Sequence, residues 1–205
     1  MSGNLNTKIT NHLDWHKSNS EYGTQLVLRE EKYKEIELAN LELMDVGILG
    51  CIIEKSNFSK IDFSYSNFSF TQFNHSKLFM IDFIKTELNH SKFENTVAEK
   101  CNFFRANLMN SSFLNSSVYE CNFSNAYFLN SQFENCTLDG IDFSNTTLEN
   151  ISLNQVLFNN CIFNGTKLVN LNVENIKGIT ISNNNTLVGK DAINWLETQI
   201  INCNI

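Results

Sequence analysis

The sequence predicts an all-β fold: a four-sided parallel β-helix of about seven coils with a short helix closing each end. The first observation is a five-residue register of hydrophobic residues that runs from Leu38 to Val173 without a slip and takes in 14 of the 17 Phe residues. The second is a 20-residue superperiod, in which a similar tripeptide returns every fourth pentapeptide. A short fixed period of this kind is the signature of a solenoid, in which each repeat contacts its neighbours.

The other positions of the repeat predict a strand and a turn. The residue two before each hydrophobic centre is small or slim, as at Ser56 and Ala106, so it also points inward. Inward, outward, inward is strand alternation, and a turn must follow to keep the next pair on the same face. From residue 95 onward the last position of the pentapeptide is mostly Asn, with Gly140 and Gly165 among the rest, and these residues accept tight turns.

The superperiod predicts four sides. Its members begin with Ile61-Asp62-Phe63 and Ile81-Asp82-Phe83 and end with Cys161-Ile162-Phe163. Seven coils at the ~4.8 Å spacing of paired strands make a rod roughly 34 Å long. The chain contains no Pro, which suits a backbone whose N–H groups nearly all join ladders.

Three segments are expected. Residues 1–35 form an N-terminal cap with a short helix over 10–18, where His12 and Trp15 lie at helical spacing, and a first strand at 25–28. Residues 36–177 form the β-helix. Residues 178–205 begin at Gly178, pass through a loop at 183–185 and end in a helix over 191–201. Because an uncapped coil is an open sheet edge, that helix either caps its own coil or joins a second copy as a homodimer.

The repeat resembles the pentapeptide-repeat family, whose consensus is Ala-(Asp/Asn)-Leu-x-x. Ala106-Asn107-Leu108 matches it, and Ile61-Asp62-Phe63 matches with larger residues; the resemblance covers residues 36–175. It implies a right-handed quadrilateral β-helix with four pentapeptides per coil. It also implies a possible target, because the family's best-known members resemble duplex DNA in size and charge and bind DNA gyrase, which they protect from quinolone drugs.

Charge and composition exclude several classes of protein. The net charge of −7 and pI near 5.1 argue against direct nucleic-acid binding. The N-terminus has no apolar signal core, and no stretch approaches the ~18 apolar residues of a membrane span. A cytoplasmic protein with reduced thiols is therefore expected, without a membrane contact.

No catalytic, cofactor-binding or metal site is predicted. The four His residues have no nucleophile arranged beside them, and there is no glycine-rich phosphate loop. Five Cys residues occupy the small inward column, where buried thiols acting as small hydrophobes are favoured over metal ligands. Those residues are Cys51, Cys101, Cys121, Cys136 and Cys161. Cys203, in the tail, is the candidate exposed thiol.

An acidic face supports one functional hypothesis. Asp62, Asp82 and Asp142 point outward on one side, with Asn102 and Asn122 between them, and no basic residue lies between Arg105 and Lys167. A DNA-mimicking modulator of gyrase is therefore the alternative function. Seven Lys and Arg residues in the first half of the rod, and the scatter of the later acids over all four sides, count against it.

An outward apolar patch supports the favoured hypothesis. Outward positions of the repeat are mostly polar, and contiguous exposed apolar side chains usually mark a contact surface. The exceptions are Met44, Phe79, Met80, Ile84 and Phe104. The sequence therefore predicts a non-enzymatic scaffold that presents a rigid rod to a protein partner of unknown identity. Two alternatives stay open: a bulge near Ala98 that turns a side chain inward, or an N-terminal segment that folds over the patch.

Overall fold

The chain forms a parallel β-solenoid of about seven turns with one helix at each end. The structure, a computed structural model, describes residues 2–171, 176, 178–181 and 185–202. The helices are α1 (Ser2–Lys17) and α2 (Gly189–Asn202). The strands are β1 (Val27–Arg29), β2 (Lys32–Lys34), β3 (Glu37–Glu42), β4 (Gly47–Leu49), β5 (Ile52–Glu54), β6 (Asn57–Asp62), β7 (Gln72–Asn74), β8 (Lys77–Asp82), β9 (Lys92–Glu94), β10 (Val97–Glu99), β11 (Ser112–Leu114), β12 (Ser117–Tyr119), β13 (Tyr127–Leu129), β14 (Gln132–Glu134), β15 (Thr137–Asp139), β16 (Thr147–Glu149), β17 (Ser152–Asn154), β18 (Val156–Asn159), β19 (Lys167–Val169), β20 (Ile179–Ile181) and β21 (Asn185–Leu187).

Residues 20 positions apart lie beside one another on successive coils, which confirms the four-sided prediction. Ala98, for example, pairs with Leu78 on one neighbouring coil and Val118 on the other. We number the sides by their centres. The first side is centred on Leu38 and every twentieth residue after it, the second on Leu43, the third on Ile48 and the fourth on Ile53.

The interior is a continuous hydrophobic column. Every centre from Leu43 to Phe163 is buried. Phe rings stack from coil to coil on the second and fourth sides, with centroids 4.6 Å apart for Phe103–Phe123 and for Phe93–Phe113. The two ladders meet edge to face across the core, as at Phe93–Phe103. Each buried ring stabilises the rod by roughly 1.5–3 kcal/mol through burial, and each ring pair adds about 0.5–1.5 kcal/mol.

The small inward column ties each coil to the one before it. Thr146 Oγ1 donates to the Phe123 carbonyl at 2.8 Å, and Ser116 Oγ donates to that of Phe93 at 3.0 Å. Cys136 Sγ makes the same contact with Phe113 O at 3.2 Å. Each of the five column cysteines is a free thiol, and all except the half-buried Cys161 are buried. Their prediction as small core residues is confirmed, while Cys203 lies outside the described residues.

Every corner of the rod that the structure describes is in the left-handed conformation. The last residue of each pentapeptide from Glu30 to Asn170 has φ between 49° and 68°. This conformation costs about 1–2 kcal/mol for most L-residues, and less for Asn and Gly. Residues 110–170 keep the cost low with nine Asn and two Gly corners. Between 55 and 105, by contrast, ten of eleven corners carry other side chains: Lys55, Lys60, Tyr65, Phe70, His75, Met80, Lys85, His90, Lys100 and Arg105.

The N-terminal cap begins earlier than the predicted helix over 10–18. Leu5 and Ile9 are buried, and both precede residue 10. The apolar stripe that holds α1 against the coil therefore starts near the first turn of the helix. His12 fixes the other end of the helix. Its Nε2–H donates to Met44 O at 2.9 Å, and its Nδ1 accepts from the Leu26 N–H at 3.2 Å.

The C-terminal cap packs on its own rod. Ala192 and Leu196 of α2 are buried, and the Trp195 ring lies 5.9 Å from Phe158. The loop predicted at 183–185 needs a correction, because Asn185 opens β21, which pairs antiparallel with β20 and closes the sheet of the first side. Residues 182–184 lie outside the described part. No helix in the described ranges has both the length and the apolar run needed to cross a bilayer.

Protonation of His12 should loosen the N-terminal cap. Burial lowers the pKa of His12 below its ordinary 6.5, the nearby His16 lowers it further, and the Met44 carbonyl and Asp45 oppose the shift. The unfolded chain therefore binds the proton more tightly, so stability falls as pH drops through 6.5. We expect thermal melts between pH 7.5 and 5.5 to show this loss for the wild type and for His75→Gln, which alters a corner His. His12→Gln should melt earlier at pH 7.5 but vary little with pH, and an equal pH dependence in all three proteins would contradict the assignment.

Relieving one strained corner should stabilise the rod. Lys55 has φ 51°, so Lys55→Asn is expected to raise the free energy of unfolding by several tenths to about 1 kcal/mol. Asn125→Lys makes the reverse change at an Asn corner with φ 60° and should destabilise by a similar amount. Circular dichroism melts of both variants check this; shifts of the same sign would refute the corner argument.

Candidate functional site

The structure divides the predicted apolar patch into two groups. Met44, Ile84 and Phe104 share one outward column of the second side, with the small buried Ser64 between Met44 and Ile84. The backbones at Ile84 and Phe104 lie side by side on adjacent coils, since Lys85 N donates to Phe104 O at 2.9 Å. Their side chains are half-buried rather than fully exposed. The second side therefore presents a low apolar ridge.

Phe79 and Met80 form the second group, at the corner between the first and second sides. Phe79 lies in the sheet between Ser59 and Glu99 and is half-buried, whereas Met80 is 43% exposed. No bulge near Ala98 accounts for the patch, and α1 contacts it at Met44. Ala98 pairs regularly, without a bulge, and the hydrogen bond from α1 to this region goes to the backbone of Met44.

Basic side chains lie over the aromatic rings. Arg105 Cζ is 5.1 Å from the Phe104 ring centroid, and Lys100 Nζ is 5.9 Å from that of Phe79. Each cation gains an interaction of about 0.5–1 kcal/mol and shelters part of the ring. The side chains that the sequence identified as apolar exceptions are thus parts of mixed aromatic and cationic clusters.

On the described coils of the rod, two exposed aromatic residues were not singled out from the sequence. Tyr65 is 51% exposed and lies below Lys85, whose Nζ is 5.0 Å from the ring centroid. Phe70 is 58% exposed and stacks on His90 with centroids 4.5 Å apart. A signal was present: both residues occupy corner positions, which otherwise carry mainly polar side chains or Gly.

We call five of these residues the aromatic–cationic surface. They occupy the second side and the corner that follows it, on three successive coils. The members are Tyr65, Ile84, Lys85, Phe104 and Arg105. Lys85 and Arg105 stand one above the other at that corner, directly after Tyr65 on the preceding coil.

The acidic column of the second side has a structural task. Asp62 Oδ1 accepts from Ser64 N at 2.8 Å, and Asp142 Oδ1 accepts from Ser144 N at 2.8 Å. Asn122 makes the same bond with Ser124. These side chains close the turn after the strand, which accounts for Asp and Asn at this position without any ligand.

Asp82 lies beside Asp62 in this column. Burial raises its pKa, the carboxylate of Asp62 on the adjacent coil raises it further, and a hydrogen bond from Asn102 opposes both. Closely stacked carboxylates therefore repel one another here. Asp142 lies three coils beyond Asp82, so the three predicted acids do not form an even row of charges.

The cysteines and other potential ligands do not converge. Burial raises the pKa of Cys161 to about 12 and also raises that of Cys136, so these thiols stay protonated and weakly nucleophilic. Across the described part of the chain, no three His, Cys, Asp or Glu side chains are placed to hold a metal ion.

Comparison with solved structures finds proteins of low sequence identity and low structural similarity to this chain. QnrB1, a plasmid-mediated fluoroquinolone resistance protein, is 17% identical over 75% of this chain and 92% of its own, with a TM-score of 0.30. A pentapeptide repeat protein from the Arabidopsis thaliana thylakoid lumen is 19% identical over 60% and 86%, with a TM-score of 0.43. HetL from the cyanobacterium Nostoc, involved in heterocyst differentiation regulation, is 14% identical over 85% and 97%, with a TM-score of 0.30.

Sequence comparison supplies the family. No curated protein matches the chain. Residues 123–167 match the profile described as pentapeptide repeats (9 copies), and residues 50–78 and 101–140 match a second one described as pentapeptide repeats (8 copies). Together with the unbroken register and the four-sided solenoid, these matches show that the chain is a pentapeptide-repeat protein.

Proposed function

We propose that this protein is a non-enzymatic scaffold whose rigid rod presents the aromatic–cationic surface to a protein partner. The observation that carries the proposal is the placement of Tyr65, Lys85 and Arg105 at left-handed corners, with φ of 62°, 53° and 57°. Asn or Gly would fold more easily there, as they do at later corners. Backbone strain that folding does not need is a reason to infer function.

The chemistry of the surface fits protein recognition. Tyr and Arg are enriched among residues that dominate binding energy at protein interfaces. Tyr65 is half-exposed, and Ile84 and Phe104 extend the apolar area beside it. A partner that covers these rings removes apolar surface from water and leaves the polar rim of the rod in solvent.

The rod also holds these side chains in place before a partner arrives. Each coil is bonded to the next through its backbone, as in Tyr65 N to Ile84 O at 2.9 Å, and the Phe ladder fills the interior. A surface built on rigid elements loses little conformational entropy on binding. This supports a scaffold role rather than one that depends on a moving loop.

Removing the two rings should abolish partner capture. A protein that binds the immobilised wild type should be captured in at least tenfold smaller amount by the immobilised double variant Tyr65→Ser with Phe104→Ser. Quantitative mass spectrometry measures the captured amounts. Tyr119→Ser is the matched control, because Tyr119 is a half-buried outward aromatic on the first side. Identical capture by all three proteins would exclude this surface as the contact site.

The whole predicted patch needs a separate test for self-association. We expect Phe79→Ser with Phe104→Ser to leave the solution mass at that of the wild type, because the proposed partner is another protein. Light scattering after gel filtration checks this against the 23.5 kDa chain mass. A wild-type dimer that the double variant dissolves would show that the partner is a second copy. A homodimer through α2 stays a separate hypothesis, and it would have to use the side of α2 that does not face its own rod.

DNA gyrase is the second candidate partner, favoured by the acidic second half of the rod. Residues 106–166 carry five acids and no base. Against mimicry, residues 36–171 hold 14 acids and eight bases, a net −6. A DNA duplex as long as the rod, roughly 34 Å, carries about 20 phosphates at one per ~1.7 Å. The rod therefore has far less negative charge than the DNA that it would imitate.

This charge deficit predicts no effect on gyrase. In a supercoiling assay we expect neither inhibition nor protection from a quinolone at micromolar protein. Glu120→Gln with Asp139→Gln serves as the charge control. Inhibition by the wild type that the control variant loses would reverse the order of the two candidates.

A further inference from the structure

We propose that the aromatic–cationic surface takes an extended acidic segment of a partner protein, in which carboxylates alternate with apolar side chains. This rests on the proposed function and specifies the chemistry of the partner. The inference comes from three features of the surface: cations without carboxylate partners, exposed rings beside them, and a neighbouring side that is nearly uncharged.

The two cations of the surface lack acidic partners. Within the described residues no carboxylate oxygen lies within 4.0 Å of Lys85 or Arg105, whereas Lys100 pairs with Glu99 and Glu120. Lys85 and Arg105 instead contact rings, at 5.0 and 5.1 Å. A guanidinium stacked on a ring still has its N–H donors free at the edge, where they match a carboxylate.

The spacing of the corner suits an extended chain. Tyr65, Lys85 and Arg105 rise by one coil each, about 4.8 Å per step. Alternate side chains of an extended segment are about 6.6 Å apart on one face. The long Lys and Arg side chains can take up a difference of this size, so two carboxylates can meet two cations while an apolar side chain reaches Ile84 or Phe104.

The third side continues the surface with little charge. Its outward residues across these coils include Asn67, Ser69, Asn107 and Met109. The acid there is Glu87, and its carboxylate accepts from Asn107 Nδ2 at 2.9 Å. At the far corner Phe70 stacks on His90, so an apolar side chain of the segment finds a second exposed ring across this side.

A polynucleotide fits this surface less well than a protein segment. Glu87 on one flank and Asp82 on the other stand on the same coil as Lys85, and the chain carries a net −7. A continuous phosphate backbone would meet both acids, whereas carboxylates spaced by apolar residues avoid them. Base stacking on Tyr65 and Phe70 is the competing possibility, and a DNA probe separates the two.

A second copy of this chain offers one stacked row of acids, Glu42, Asp62 and Asp82 on the second side, but Asp62 Oδ1 already accepts from Ser64 N and the Asp82 carboxylate already accepts from Asn102. The acids of the later coils all belong to different outward columns, so none stacks on another. They are Glu120, Glu134, Asp139, Asp142 and Glu149. We therefore take the complement to Lys85 and Arg105 to come from another protein, and the mass of the chain in solution tests this choice against a second copy.

The test is fluorescence anisotropy with three labelled probes and the full-length chain. The probes are a 12-residue peptide of six Glu-Leu units, the same peptide with Gln for every Glu, and a 12-nucleotide single-stranded DNA. We expect the Glu peptide to bind at least tenfold more tightly than the Gln peptide and the DNA, and to weaken as salt rises. Equal binding of the Gln peptide, tighter binding of the DNA, or no binding of the Glu peptide would overturn the proposal.

Matched variants locate the binding site. Lys85→Asn with Arg105→Asn removes two cations and relaxes two corners, so the fold should persist. Lys55→Asn with Lys60→Asn makes the same change in charge at two corners of other sides. The first pair of substitutions should weaken binding of the Glu peptide at least tenfold, and the second pair should weaken it less than twofold. Equal losses of affinity would contradict a specific site.

Failure of this inference can be told apart from failure of the proposed function. If Tyr65→Ser with Phe104→Ser loses a captured protein while the Glu peptide does not bind, the surface binds a partner of different chemistry. If the Glu peptide binds at this site and nothing is captured, the chemistry stands and the scaffold role does not. A wild-type mass of twice 23.5 kDa that falls to the single-chain mass in Lys85→Asn with Arg105→Asn would assign the surface to self-association and overturn the inference.

Discussion

The left-handed corner at every fifth residue is the constraint on which the rest of the structure depends. It turns the chain after each three-residue strand and so keeps the hydrophobic centre and the small residue two positions before it facing inward. If one corner adopted another conformation, the next centre would point to solvent. Because the corner fixes backbone geometry rather than side-chain identity, it accepts any residue at an energetic cost, which is least for Asn and Gly.

The interior offsets this cost. Stacked Phe rings and coil-to-coil hydrogen bonds from Ser, Thr and Cys stabilise neighbouring turns, so each strained corner is held by contacts on both sides. In a solenoid these terms are local, since each coil interacts with its nearest neighbours. One stretch of the rod can therefore carry more strained corners than another without changing the fold, and residues 55–105 do so.

The five-residue register was enough to predict the coils of the rod. It was not enough to predict where the end caps begin or how side chains are arranged on the surface. The unbroken period from Leu38 determines which side chains are buried, and the 20-residue superperiod gives four sides. The helix predicted over 10–18 starts eight residues later than α1, because that prediction rested on His12 and Trp15, whereas Leu5 and Ile9 form the stripe that meets the coil. Strand β21 was missed because Asn-rich sequence favours loops, although closing a sheet edge overrides that preference.

Side-chain contacts on the surface were harder to predict. A repeat specifies whether a side chain points inward or outward, but not which neighbouring side chains it contacts. The register pointed Ile84 and Phe104 outward, yet it could not show that Arg105 folds over the Phe104 ring. It also placed Tyr65 and Phe70 at corners, which otherwise carry mainly polar side chains or Gly, but it could not show how far each ring is exposed. The surface lies where local folding preference and residue choice disagree, and such disagreement is expected at sites kept for binding. Between 55 and 105, ten of the eleven corners are less stable than Asn would make them, and apart from Met80 their side chains are cations or rings.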